Sequence, residues 1–192
     1  MLVTAIRRVI SRVQLPPVTE ILATNILSIV NQIFRFEQGT EEVRAMKVHF
    51  LLTILQLESI WILTNLAYGT EEDTAKIIQH PMDVLNAVTG ILADGKDLVM
   101  VEQSLWLIGN LIGDSAPLSE IVLQRTGVLE AMIKLTKSTR ISRTLLRTIC
   151  WVNSNLSRHK KMNSDQVSCS HLIHSLVQPE YLHRKDRDLY HG

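Results

Sequence analysis

The sequence is poor in cysteine, in aromatic residues and in net charge, and each shortage excludes something. Cys150 and Cys169 stand far apart and form no CxxC pair. A disulfide framework is therefore not expected, and a reducing compartment is the default. The formal net charge is +1 over 192 residues, so the chain has no basic field of the kind that direct nucleic-acid binders use. No apolar run approaches the roughly 18 residues needed to cross a membrane. The longest candidate, Val48 to Leu55, contains Thr53, and Arg7, Arg8 and Arg12 interrupt the N-terminus before a signal-like apolar region can develop. These absences predict a soluble intracellular protein. No Gly-rich phosphate loop, paired catalytic carboxylates or nucleophile elbow is present, so no enzyme is expected. Cys169, His171 and His174, with His159 upstream, match no zinc spacing; neither metal nor cofactor is expected.

What the chain does have is a repeat, in a sequence whose 46% apolar content suffices for one sizeable core. Three segments align without gaps: Glu58 to Leu66, Gln103 to Leu111 and Thr148 to Leu156. They contain all three tryptophans, Trp61, Trp106 and Trp151, each followed four residues later by Asn65, Asn110 or Asn155. The tryptophans recur every 45 residues, a period typical of helical solenoids with two or three helices per repeat. The interval between the first two copies reads as three helices. Thr70 is the N-cap of a short helix with Glu71, Glu72 and Asp73 in its first turn, ending near Pro81. A second helix spans roughly Met82 to Ala93 and stops at Asp94-Gly95. A third runs from about Asp97 to Ile112 and carries the Trp. The next interval follows the same plan, with Ser115 in the place of Thr70, Pro117 in the first turn, and Gly127 and Lys137 to Arg140 as separators. Residues 1 to 14 read as the last helix of an earlier repeat ended by Pro16-Pro17. Between Phe34 and Gln56 the spacing stretches; Gly39 to Glu42 reads as a loop or a new helix start, and Val43 to Phe50 is not placed. After Val177 the pattern fails, leaving a charged tail.

With Trp as position zero, positions −1, +1 and +5 are apolar in every copy and should pack against neighbouring helices. Positions −3, 0 and +4 share a face, which reads Glu58-Trp61-Asn65, Gln103-Trp106-Asn110 and Thr148-Trp151-Asn155. Position +3 is small each time (Thr64, Gly109, Ser154), leaving room beside the Asn. For one isolated pair, core packing of the ring and a neighbouring carbonyl for the amide would suffice as explanation. Three copies with polar and small flanks point instead to a surface that holds an extended peptide. Asn can bond a peptide N–H and C=O together, and adjacent Trp faces can form slots for the methylene stem of Lys or Arg.

On these residues the chain resembles the armadillo core of importin-α, the nuclear-localisation-signal receptor, over roughly residues 3 to 177. Trp-Ile-Leu-Thr-Asn-Leu-Ala-Tyr-Gly-Thr (61–70), Glu-Gln-Ser-Leu-Trp-Leu-Ile-Gly-Asn-Leu-Ile-Gly-Asp-Ser (102–115) and Trp-Val-Asn-Ser-Asn-Leu (151–156) are similar to its second, third and fourth repeats. Ile10-Ser-Arg12 with Pro16-Pro17 is similar to the end of its first. The resemblance implies an all-α, right-handed superhelical armadillo solenoid with three helices per repeat. Residues 1–177 would form one domain of about four repeats, the first and last incomplete, and 178–192 a charged tail.

It also implies a receptor for lysine-rich nuclear-localisation-signal cargo, working in cytoplasm and nucleus. Asn65, Asn110 and Asn155 would form its Asn ladder, and Trp61, Trp106 and Trp151 its slots. Asp114 would receive the most tightly held lysine, shared with Gly69 and Thr74, and Gln103 would make a secondary contact. Asp114 as a helix N-cap fits the repeat less well, because Ser115 already takes the place of Thr70. Arg12 and Arg158 match arginines near the ends of the family's groove and read equally as solvated surface residues. The family's basic N-terminal segment for importin-β and its later repeats have no counterpart here, so the resemblance implies a shortened receptor without importin-β as partner. The stretch from Arg35 to Leu55 reads as an insertion, Tyr68 as a bulky neighbour of Gly69 that crowds the lysine pocket, and His80-Pro81-Met82 as a replaced turn. The alternative is an armadillo scaffold that binds another protein partner, and Asp114 beside the Trp slots is the feature that favours lysine.

Overall fold

The first four backbone N–H groups of a helix have no partner inside it, and the chain answers this need most fully at Thr70. Its hydroxyl accepts from the Asp73 N–H while the Asp73 carboxylate accepts from the Thr70 N–H, a reciprocal capping box. In the computed structural model, which describes residues 2–12, 17–35, 46–80, 84–138 and 141–158, this box opens the helix Glu71–Ile78. The described residues form ten helices: α1 (Leu2–Arg12), α2 (Val18–Leu22), α3 (Ile26–Arg35), α4 (Met46–Leu66), α5 (Glu71–Ile78), α6 (Val84–Asp94), α7 (Leu98–Gly113), α8 (Ala116–Thr126), α9 (Val128–Thr136) and α10 (Arg143–Arg158). No strand occurs among them, and none of their helices is long and apolar enough to cross a membrane.

Helix packing sorts these elements into three rows. The last helix of each unit stacks on the last helix of the one before, in the order α1, α4, α7, α10. The first helices stack as α2, α5, α8, and the middle ones as α3, α6, α9. The three-helix reading of both Trp intervals therefore holds, with bounds shifted by a residue or two. Asp97 caps α7 through its carboxylate, which accepts from the N–H groups of Val99 and Met100. Gly127 separates α8 from α9 at φ +55°, a left-handed conformation that L side chains disfavour. Ser115 stands at the N-cap position of α8 but makes no capping bond, so that helix starts on Pro117 in its first turn.

The stretched region resolves in part. Val48 to Leu55 belongs to α4, a helix of 21 residues that continues to Trp61 and Asn65. The segment Gly39 to Glu42, read as a loop or a new helix start, lies outside the described residues, as do Pro81 and Met82 of the replaced turn. Residues 159–192, with the charged tail and the Cys169–His174 group, lie outside them too.

Positions +1 and +5 form the seam of the third row. Ile62, Leu66, Leu107, Leu111 and Val152 are fully buried and Leu156 nearly so, each contributing about 1.5–3 kcal/mol by leaving water. Position −1 departs once. Ile60 and Leu105 are buried, whereas Cys150 is exposed, because among the described residues no helix packs on the far side of α10. Cations also tie the outer rows at helix C-termini, where unpaired carbonyls and the dipole favour positive charge. Arg125 donates to the Ile78 carbonyl at the end of α5 (2.9 Å), and Lys134 to the Ala93 carbonyl near the end of α6 (3.4 Å).

Candidate peptide-binding face

Because α4, α7 and α10 lie side by side, their tryptophans and asparagines fall on one continuous face. Trp61 and Trp106 are 39% and 42% exposed, large for an indole, whereas Trp151 is partly buried against the core. Asn65 and Asn110 are half-buried, and Asn155 is buried.

The amides have structural partners that the repeat alone did not reveal. Asn110 donates from Nδ2 to the Thr64 carbonyl of α4 at 3.0 Å, and Asn155 donates to the Gly109 carbonyl of α7 at 2.9 Å. Thr64 and Gly109 are the +3 residues of the preceding copies, so the two bonds are equivalent rungs between successive repeats. Asn65 turns to its own helix instead and donates to the Trp61 carbonyl at 2.7 Å. One rung uses one amide hydrogen, which leaves a second N–H and the Oδ1 on each side chain for another partner.

Position −3 is more structural than expected. Glu58 pairs with Arg7 of α1, and buried Thr148 donates to the Glu102 carboxylate (3.4 Å) and the Thr144 carbonyl (3.2 Å). Gln103 is half-buried on α7. The room expected beside the Asn at +3 is also partly taken. A Cβ on Gly109 would lie 2.1 Å from Cζ3 of Trp151, so that indole rests directly on the glycine. Its ring centroid is 4.7 Å from that of Trp106, with the planes tilted by 36°. A lysine stem between two rings needs roughly 7–8 Å, twice the usual carbon–carbon contact distance. The Trp106–Trp151 slot is therefore shut, and theirs is the one stacked ring pair among the described residues.

The acidic end is assembled from two repeats. Asp114 is the C-cap of α7, and its Oδ2 accepts a hydrogen bond from the hydroxyl of buried Thr74, in the first turn of α5. Loss of hydration pushes the Asp114 carboxyl above its ordinary value, the charge of Glu71 adds to this, and the Thr74 bond opposes it. The negative end of the α7 dipole acts in the same upward direction. Among the described residues no cation pairs with the Asp114 carboxylate. Gly69 lies in the turn between α4 and α5, and packing alone demands glycine there, since a Cβ would come within 2.8 Å of Val18. Tyr68 beside it is 74% exposed, so most of its ring lies in solvent. Arg12 and Arg158 are exposed in the last turns of α1 and α10, at the two ends of the row.

Sequence reasoning treated Asp73 only as a first-turn acid, yet it anchors this pocket. It is buried and accepts from the Thr70 hydroxyl (2.9 Å) and the Thr19 hydroxyl (3.1 Å), with Lys76 at 3.4 Å. Burial alone would raise its carboxyl, but the bonds from Thr70, Thr19 and Lys76 hold it below the ordinary value. The signal was the Thr-x-x-Asp spacing of a capping box, with Thr74 as the next residue along. Among the described residues no group of His, Cys, Asp and Glu side chains could hold a metal ion.

Three rows of helices stacked in three-helix units define an armadillo-repeat solenoid. No family model matches the chain, but a designed armadillo repeat protein, solved in complex with the peptide (KR)4, has the same fold. The TM-score is 0.60 at 18% identity, with 82% of this chain and 56% of that one covered. In sequence, the chain is 35% identical to importin subunit alpha-2 of Arabidopsis thaliana over 127 residues, 63% of this chain and 23% of that protein. It is 28% identical to importin subunit alpha-1b of Oryza sativa subsp. japonica over 178 residues, 90% of this chain and 30% of the other. Importin-α subunits are thus homologues of this protein over most of its length. The chain itself spans 23% and 30% of the length of these two relatives.

Proposed function

We propose that the face of α4 and α7 binds an extended, lysine-rich segment of the nuclear-localisation-signal kind, as the cargo site of a nuclear import adaptor. One observation carries this reading: the Asp114 carboxylate, partly stripped of water and paired with no cation among the described residues, ends α7, the helix that carries the exposed Trp106 beside the exposed Trp61 of α4. A lysine ammonium seated at Asp114 donates to the carboxylate, which stabilises its charge, and to the oxygen of the Thr74 hydroxyl. Its neighbour in the ligand lays its methylene stem between Trp61 and Trp106, with cation–π attraction at the head. The second amide hydrogen and the Oδ1 of Asn65 and Asn110 hold the peptide backbone whatever its side chains are. The homology to importin-α subunits supports this reading, as does the (KR)4 peptide held by the designed armadillo neighbour. On this reading the protein is a binding module rather than an enzyme, and it meets its cargo in cytoplasm or nucleus.

The test is a titration of fluorescent peptides into folded wild type and Asp114→Lys. The reading expects the lysine-rich peptide to bind wild type, to lose most of its affinity for the variant, and to outcompete an acidic peptide of equal length. Equal binding to both proteins places the lysine elsewhere. Preference for the acidic peptide favours a scaffold with a different partner.

A further inference from the structure

The two slots along the face are built from the same motif, and one position differs between them. Trp151 lies against Gly109, the +3 residue of the repeat before. At the equivalent place in the earlier pair of repeats stands Thr64, whose branched side chain is bonded to the Ile60 carbonyl (2.8 Å) and supplies the Cβ that Gly109 lacks. Against Trp151 it is Gly109, and the indole rests on the bare helix, with three ring atoms 2.1–2.8 Å from where a Cβ would be. In that seat Trp151 meets Trp106 at 4.7 Å. Asn155, one turn on from Trp151, is 3% exposed. Its Nδ2 is bonded to Gly109, and its Oδ1 is buried with no partner. A buried amide oxygen without a donor is costly, and a ligand backbone N–H is the kind of donor that would satisfy it.

We propose, resting on the lysine-segment reading above, that Trp151 is a lid seated on Gly109 that closes the second slot and covers Asn155 in the free protein. The resting face therefore holds one lysine stem, between Trp61 and Trp106, and admits a second only by lifting Trp151 off its seat. Lifting gives up the ring stack and the burial of the indole, and returns a partner to the Asn155 oxygen. Helices packed roughly 8–10 Å apart, and an extended chain advancing about 3.3–3.6 Å per residue, put the two slots two or three ligand residues apart. The specificity that follows is for a short basic motif over a long lysine run.

The lid can be tested without any ligand. Two indoles in contact couple their transitions, so wild type should show a tryptophan exciton couplet in the far-ultraviolet circular dichroism. Trp106→Phe and Trp151→Phe should each abolish it, and Trp61→Phe should keep it. Gly109→Ala should abolish it as well, with helicity unchanged, because the new Cβ unseats the ring. No couplet in wild type, or an undiminished one in Gly109→Ala, overturns the proposal. If Gly109→Ala does not fold, Trp151→Ala removes the lid without adding an atom, and the Asn155 side-chain amide should then exchange with solvent faster. Unchanged exchange contradicts the lid.

Peptides carrying one lysine, or two lysines two residues apart, test the consequence. The second lysine should change wild-type affinity less than about twofold and should improve Gly109→Ala binding about tenfold, as stem packing and cation–π attraction allow. A full tenfold gain already in wild type, with the couplet intact, refutes the one-stem limit. If no lysine peptide binds any of these proteins while the couplet behaves as described, the lysine reading falls and takes the one-stem limit with it.

Discussion

The Trp61–Asn65 and Trp106–Asn110 copies stand open to solvent, while the Trp151–Asn155 copy, with the same Trp-x-x-x-Asn spacing, is folded down on its neighbour. Trp106 is 42% exposed, and the Asn155 that should extend its row is 3% exposed. The contrast teaches that in a solenoid a repeated side chain does not carry its environment with it. What Trp151 does is set by Gly109, the +3 residue of the repeat before, because stacking brings those two positions together. Gly109 lets the Trp151 indole rest on the helix backbone, whereas Thr64 carries a side chain at the equivalent position. The same stacking gives the asparagines a double character. Each rung to the preceding carbonyl fixes the amide plane before any ligand arrives, so little side-chain freedom remains to be lost on binding.

Substitutions in each region can break this comparison, beginning with the largest effect. Leu107 is fully buried in α7, between the open and closed copies. Leu107→Ala should lose about 2–5 kcal/mol of stability in chemical denaturation, with peptide binding falling only as the folded fraction falls. Asp114→Lys leaves α7 folded and should cost about 2–5 kcal/mol of lysine-peptide affinity, since it removes the anion and adds a like charge. A variant with unchanged affinity would detach the acidic end from the face.

The asparagines separate the two regions more finely. Asn155→Ala deletes a buried rung and leaves the Gly109 carbonyl without its donor, so it should cost about 1–3 kcal/mol of stability and little affinity. Asn110→Ala loses the equivalent rung to Thr64 and, because its amide is accessible, should also cost about 0.5–1.5 kcal/mol of peptide affinity that Asn155→Ala does not. Denaturation and titration on the same pair of variants check both. Finding the two losses interchanged would mean that the closed copy, not the open one, meets the ligand.

Thr70→Ala should lose about 1 kcal/mol through the broken capping box, and it should flatten the acid limb of the stability curve. Asp73 is held below its ordinary value of 3.8, so its contribution is full above that pH and is lost as pH falls through the lowered folded value. Without Thr70 there is less depression to lose. Asp114 has the opposite sign. Raised above 3.8, it destabilises the free fold near neutrality, and protonation relieves that cost as the pH drops. Equilibrium denaturation of wild type, Thr70→Ala and Asp114→Asn across the acid range resolves the two.

Much of this was readable from the sequence, for identifiable reasons. The 45-residue spacing of Trp61, Trp106 and Trp151, the Thr70 cap and Gly127 are local signals, and local signals survive into the fold. The continuation of α4 back to Met46 was not readable, because Val48 to Leu55 is apolar on nearly every side and shows no 3.6-residue period. Nor were the rungs from Asn110 and Asn155. Periodicity places them on a face but does not say that the amide reaches the helix beside it. Gly109 was read as space for a ligand, and only the stacking of α10 on α7 shows that Trp151 already fills it. Asp114, by contrast, was picked out from resemblance and repeat register together, and Thr74 does lie against it.

The most direct measurement follows the Asp114 carboxyl itself. Carbon-detected NMR titration of the free protein should place its pKa above 3.8, because the carboxyl has lost water and faces Glu71. Saturating lysine-rich peptide should move it down, since an ammonium in contact stabilises the carboxylate. An acidic or lysine-free peptide of the same length should leave it where it was. A carboxyl that titrates identically with and without the bound lysine peptide would contradict the assignment of this face as a lysine receptor.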